Sequence, residues 1–255
     1  MAVDEAILEA VERGDVPPTL RLYAWSPPAL SLGYAQSYAD VDEAALREHG
    51  WSVVRRMTGG RAILHTDELT YAVIAPADEP RVAGTVLESY QLLASALLDG
   101  LNRLAVPARA EEKYAVPSGT DPKGPVCFEV PSNWEITVDG KKLIGSAQKR
   151  RKLGVLQHGS VPLVGDLTRI THALAFDTPE QRTQAAERLL ARATTIENAL
   201  GRAVSWEEAA AAWETAFAQT LNLTLERAAL APNEIARTKE LTTEKYAHDS
   251  WTKRV

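Results

Sequence analysis

"RRMTGGRAILH", residues 55–65, sets two arginines, a glycine pair, a third arginine and a histidine between segments that read as β-strands. "WSVVRRM" precedes the pair. "AILH" and then "ELTYAVIAP" follow it, and all three are rich in Val, Ile, Thr or Tyr, so Gly59 and Gly60 interrupt a sheet rather than join helices. A glycine pair so placed has three readings: a plain turn, a bulge or bend, or a point where another molecule comes close to the backbone.

Working outward, "TLRLYAW" and "ALSLGYA" read as two earlier strands, and residues 2–13 as an amphipathic helix. Asp40 with Glu43 is expected to frame a short helix ahead of the strip. Behind it, Thr85 and Glu88 have capping-box spacing. Val86, Tyr90, Leu93, Leu97, Leu101 and Leu104 then recur at helical intervals, predicting a long helix with a buried stripe. Residues 107–132, with five prolines and two glycines, read as a long loop, and it holds Cys127, the single cysteine.

"NWEITVDGKKLIGSAQ" reads as a hairpin closed by Asp139-Gly140 in a type I′ turn. A two-residue turn pairs Val138 with Lys141, Thr137 with Lys142 and Ile136 with Leu143. Lys142 then falls on a polar face with Thr137 and Glu135, either as a solvated lysine or as a working one. "GVLQHGSVPLV" is a further strand. From about residue 166 helices take over, with starts at Thr178-Pro179 and Ser205/Glu208 and a last one through "NEIARTKELTTEKYA". The fold class expected is α/β (α+β), a mixed sheet flanked by helices with a helical C-terminal part, in a single domain spanning residues 1–255.

Composition sets limits. With 255 residues, 45% of them hydrophobic, the chain is large enough for a substantial core. A net charge of −6 argues against a nucleic-acid partner. No run approaches the ~18 apolar residues of a membrane span, and the N-terminus lacks a signal peptide's basic start, so a cytoplasmic protein without membrane association is expected. One cysteine and five scattered histidines suggest no metal site.

Cys127 is either an inert buried thiol or a nucleophile, and its setting in "KGPVCFEVPS", a loop without apolar periodicity, favours the nucleophile. "KRRK", residues 149–152, is either a solvated turn or, with Lys141, Arg55, Arg56 and Arg61, a basic surface for an acidic partner.

Three blocks, "RRMTGGRAILHTDELTYAV", "VCFEVPSNWEITVDGKKLIGSAQKR" and "GVLQHGSVPL", resemble the lipoate and octanoate transferase branch of the biotin/lipoate protein ligase superfamily, in particular the LipM-type octanoyltransferases. The resemblance implies a ligase-like catalytic domain. It also implies transfer of an octanoyl group from acyl carrier protein, through a cysteine thioester, to a lysine of the glycine cleavage H protein or a lipoyl domain, with no cofactor. It places Cys127 as the nucleophile and Lys142 as the cation that lowers its pKa. Gly59 and Gly60 would lie against the acyl chain, Arg56 and His65 would border the pocket, and Gly145, Ser146, Gln148, His158 and Gly159 would complete it. Such relatives usually carry a short strand ahead of "MAVDEAIL", so a shortened or misassigned start is expected, and some have aspartate where this chain has Thr66. Two other activities share these blocks: an ATP-dependent lipoate ligase, which has no use for Cys127, and an amidotransferase moving octanoate between lipoyl-domain proteins. A binding protein without turnover is a third reading.

Overall fold

The computed structural model describes residues 1–111 and 135–255; Cys127 and most of the long loop lie outside them. The strand that follows the glycine strip, β5 (Glu68–Pro76), runs through the middle of the molecule. Its β-branched and aromatic residues are buried along nearly the whole length, as a strand covered on both faces requires. Around it, β1 (Thr19–Tyr23), β6 (Arg109–Glu111), β7 (Glu135–Val138), β8 (Lys141–Arg150) and β9 (Gly154–Pro162) complete a six-stranded sheet in the order β1-β5-β9-β8-β7-β6. Each neighbouring pair in it is antiparallel.

The mixed character resides in a second sheet. There β2 (Ala29–Leu32) pairs in parallel with β3 (Ser52–Arg55) and antiparallel with β4 (Ile63–His65). A parallel pair needs a crossover, and α2 (Glu43–His49) supplies it. Its N-cap is Asp42, which accepts from Ala45 N at 3.0 Å, whereas Tyr38–Asp40 form a separate 3-10 turn. The expected frame of Asp40 with Glu43 is thus displaced by two residues, because Asp42 immediately precedes the first helical residue and its carboxylate reaches the free N–H groups.

The large sheet has two distinct faces. Thr70 pairs with Ser160 and Ala72 with His158, while Gly145 and Ala147 pair with the same two β9 residues from the other side. These share one face with Glu68, and α1 (Ala2–Arg13) packs on it through Ile7, Leu8 and Val11. Tyr71, Gln157, Gly159, Ser146 and Gln148 alternate to the opposite face. That face is covered by α3 (Val86–Arg103) and α6 (Trp206–Thr220), with Leu93, Leu97, Leu101, Trp213 and Phe217 in one core. The capping box at Thr85 and Glu88 forms as its spacing predicts, though Val86, counted in the buried stripe, is 50% exposed at the helix start.

Beyond β9 the chain is helical, through a 3-10 segment (Leu167–His172), α4 (Pro179–Arg192), α5 (Ile196–Leu200), α6, α7 (Pro232–Leu241) and α8 (Asp249–Thr252). Thr178 and Ser205 cap α4 and α6 as expected. Two sequence expectations need correction. Residues 109–111, placed in the long loop, form edge strand β6, because pairing Arg109 with Thr137 satisfies backbone groups that a loop would leave to solvent. In the hairpin, Ile136 pairs with Ile144 rather than Leu143, since a bulge leaves Leu143 as an extra residue, fully buried in the core. The turn itself has both Asp139 and Gly140 at positive φ, as type I′ demands.

Candidate active site

Strand β3 delivers the two arginines of the strip, and both turn inward. Arg55, with no exposed surface, donates to Thr252 O at 3.0 Å, Gly33 O at 2.8 Å and Gln36 O at 2.6 Å. Arg56 donates to Ser31 O at 2.8 Å and Ser31 Oγ at 2.6 Å, and with its other terminal nitrogen to Gly59 O at 3.1 Å and Arg61 O at 2.8 Å. One guanidinium therefore clips the glycine strip to β2. Gly60 sits at φ 90°, and its carbonyl oxygen would lie 1.9 Å from a Cβ on Gly33, so the glycines at 33 and 60 allow two backbone segments to touch. A Cβ on Gly59 would meet no described atom within 4 Å.

The strip ends on His65, which is 3% exposed and stacked on Trp25 at 4.2 Å. Its Nδ1 lies 2.6 Å from Glu68 Oε1 and its Nε2 lies 2.7 Å from Ser31 Oγ. Thr70 and Ser160 also donate to Glu68. Burial alone would raise the Glu68 pKa, but His65 and the two hydroxyls outweigh it and hold the group below the ordinary glutamate range. Glu68 is thus a carboxylate, and Nδ1 donates to it. Nε2 meets Ser31 Oγ, which accepts from Arg56. The chain Glu68–His65–Ser31–Arg56 fixes the strip from below.

His158 stands across the cleft, its Nε2 2.7 Å from Thr58 Oγ1 and its Nδ1 3.7 Å from Asp4 Oδ2. Burial pushes its pKa below the usual histidine value despite the opposing pull of Asp4, so the ring is neutral at neutral pH.

Arg56, His65, Gly145, Ser146, His158 and Gly159 line one cleft of about 340 Å³, together with Ile63, Thr70 and Ser160. A Cβ on Gly159 would come within 2.5 Å of Tyr71 Cε1 and 2.6 Å of Gly145 O, so only glycine fits between these strands. Tyr71 OH meets Ser146 Oγ at 2.7 Å and accepts from Gln157 Nε2 at 3.1 Å. Burial pushes the Tyr71 phenol up to about 12, so it remains protonated.

Other candidates lie elsewhere. Gln148 is on the opposite face of the sheet, donating to Ser89 Oγ at 2.9 Å and Gln157 Oε1 at 3.0 Å. Lys142, expected on a polar face, is 5% exposed, and its Nζ donates to Glu135 Oε1 at 2.6 Å. Glu135, not Lys142, lines a second, small cavity together with Ser146, which therefore contributes to both cavities. Of the residues that would make a basic surface, Lys141 and Lys152 are exposed and Lys149 and Arg61 half-buried, but the others are engaged. Arg55 and Arg56 are internal, Arg150 donates to Val82 O at 2.9 Å, and Arg151 is paired with Glu5 and Glu12. Helix α1 presents Glu5 and Glu12 beside the β8–β9 turn, and these carboxylates pair with Arg151.

Sequence reading missed Ser31, Glu68, Thr70, Tyr71, Gln157 and Ser160. A signal existed in "ELTYAVIAP": Glu68 and Thr70 recur with period two in an otherwise apolar strand, which puts polar groups on one buried face. Among the described residues no three His, Cys, Asp or Glu side chains converge as metal ligands would, and no helix is long and apolar enough to cross a membrane.

The sheets and their flanking helices have the fold of lipoate-protein ligases. The chain superposes on the bi-partite lipoate protein ligase of Thermoplasma acidophilum with a TM-score of 0.82, at 23% identity, over 99% of this chain and 89% of that one. It belongs to the lipoyl protein ligase A/B catalytic domain family, whose model matches residues 1–218. It is 41% identical to the octanoyltransferase LipM of Exiguobacterium sp., across 98% of this chain and 92% of that protein. To the octanoyltransferase LipM of Symbiobacterium thermophilum it is 43% identical, across 100% and 93%.

Proposed function

We propose that the protein is an octanoyltransferase of lipoate biosynthesis, taking octanoate from acyl carrier protein and delivering it to a lysine of the glycine cleavage H protein or another lipoyl domain. The observation that carries this reading is the convergence of Arg56, His65, Gly145, Ser146, His158 and Gly159 on one cleft, in a chain alike over its full length to LipM enzymes. The Cys127 thiolate attacks the carbonyl carbon of the octanoyl thioester, and the carrier's thiol leaves with a proton. The acceptor's lysine, as free amine, then attacks the same carbon. The bond to Cys127 sulfur breaks, the thiolate is restored and the nitrogen releases its proton. No phosphate bond is consumed, because the thioester is already activated and the amide is the more stable product.

Lys142 is assigned as the cation that stabilises this thiolate; it is buried and paired with Glu135, where charge interactions are stronger than in water. Gly59 and Gly60 offer backbone to the acyl group, and Gln148 supports Ser146 through Gln157 and Tyr71. Residues 1–255 act as one cytoplasmic catalytic unit without a metal or cofactor.

The likeness to lipoate protein ligases favours a second reading, ATP-dependent attachment of free lipoate or octanoate. Intact mass after incubation with octanoyl-acyl carrier protein separates the two. Octanoyl transfer predicts an adduct formed without ATP, removed by hydroxylamine and lost in Cys127→Ala. Full activity of Cys127→Ala, or a requirement for ATP, would overturn it in favour of the ligase.

A further inference from the structure

A further cleft, open to solvent, lies behind Ile63 and Ser160, two residues that also line the acyl cleft. Its walls are largely apolar, Val164 and Leu167 among them, while three carboxylates, Asp67, Glu68 and Asp166, border it against a single cation, Arg169. That cation is engaged, its Nη2 meeting Asp67 and, at 3.1 Å, Thr66 Oγ1. Glu68 is held as an anion by His65, Thr70 and Ser160, as described above. The border is therefore net negative around an apolar interior.

We propose that this cleft receives the lysine side chain of the acceptor protein. The inference rests on the octanoyl-transfer reading and says which partner enters by which side. A lysine arm is an aliphatic stem ending in an ammonium, and it is accommodated where apolar walls lie beside carboxylates. The donor's arm is different: a pantetheine chain hangs from a phosphodiester, and an anion gains nothing from a border of three carboxylates. Ile63 and Ser160 line both clefts, so a single layer of side chains separates the amine from the acyl cleft. Donor and acceptor then reach the acyl group from different sides, and neither has to clear the other's entrance.

The two half-reactions separate this role from others. Octanoyl-enzyme is formed from octanoyl-acyl carrier protein, isolated, and mixed with a lipoyl domain over a range of concentrations. In Asp67→Asn/Asp166→Asn, octanoyl-enzyme should form at the unmodified rate. The half-saturating lipoyl-domain concentration should rise about tenfold, as expected from losing two modest charge interactions. Asparagine at 166 still caps the following 3-10 segment, so the fold is kept. Leu167→Trp, which fills the cleft, should also slow the second step alone. The proposal is overturned if either variant slows octanoyl-enzyme formation as much as transfer, which would mark the cleft as the donor's, or if both steps are unchanged. Absence of any octanoyl-enzyme in the unmodified protein would sink the transfer reading itself, and this inference with it.

Discussion

Glu68 and His158 are buried on the same face of the sheet, and both tie the stability of the site to pH in the same direction. The native Glu68 pKa lies below the ordinary value. The stability it contributes is fully present above the unfolded glutamate range, near ~4.3, and is lost as pH falls through the lowered native value. His158 is also lowered, so between its native value and the unfolded ~6.5 the unfolded chain binds the extra proton, and stability falls as pH drops below ~6.5. Urea unfolding followed from pH 8 to pH 3 should show two descending steps. Glu68→Gln should flatten the lower step and His158→Gln the upper one. A curve that keeps its lower step in Glu68→Gln would refute the assignment.

The β7–β8 hairpin shows how far an element can be read before packing intervenes. Turn type and the first two pairs follow from Asp139-Gly140 and the alternation around it. The bulge at Leu143 does not, because it answers to a core assembled from α3, α6 and distant strands. For the same reason Lys142 reads as polar-faced in isolation yet is buried. The edge strand β6 and the covering helices close over the sheet, leaving its ammonium against Glu135. Removing one partner of a buried ion pair strands the other, so Lys142→Ala should cost about 3–5 kcal/mol of stability besides any loss of transfer. Lys141 is exposed, and its Nζ reaches only Leu190 O, at 2.7 Å, among the contacts seen. Lys141→Ala should stay within ~0.5 kcal/mol of the unmodified protein. Equal destabilisation of the two variants in chemical denaturation would show that the hairpin faces are misassigned.

At the scale of the molecule, charge reads poorly from sequence because partners come from far along the chain. "KRRK" is surrounded by no obvious acid, yet Arg151 lies against Glu5 and Glu12 of α1, and Lys245 and Tyr246 donate to the same Glu5. The glycine strip reads more clearly, since its sequence already shows strands on both sides. What stays hidden is the relay beneath it, whose members Ser31, His65 and Glu68 are drawn from three strands. Arg151→Ser should lower stability by about 2 kcal/mol through lost charge-assisted hydrogen bonds, whereas Lys152→Ser should leave it unchanged. Matching unfolding midpoints for the two variants would restore the solvated-turn reading.

Arg55 and Arg56 stand side by side, and the first grips Thr252 while the second grips the glycine strip. The two anchor points are 197 residues apart for Arg55 and three for Arg56. One closure is local and quick; the other must wait for a very long stretch of chain to find its place. During synthesis the strip and the Arg55 bonds to Gly33 and Gln36 can therefore form early, while the bond to Thr252 waits until the last helix has emerged. The strand that carries the strip is thus held from two distant parts of the chain, by Gly33 and Gln36 nearby and by Thr252 at the far end.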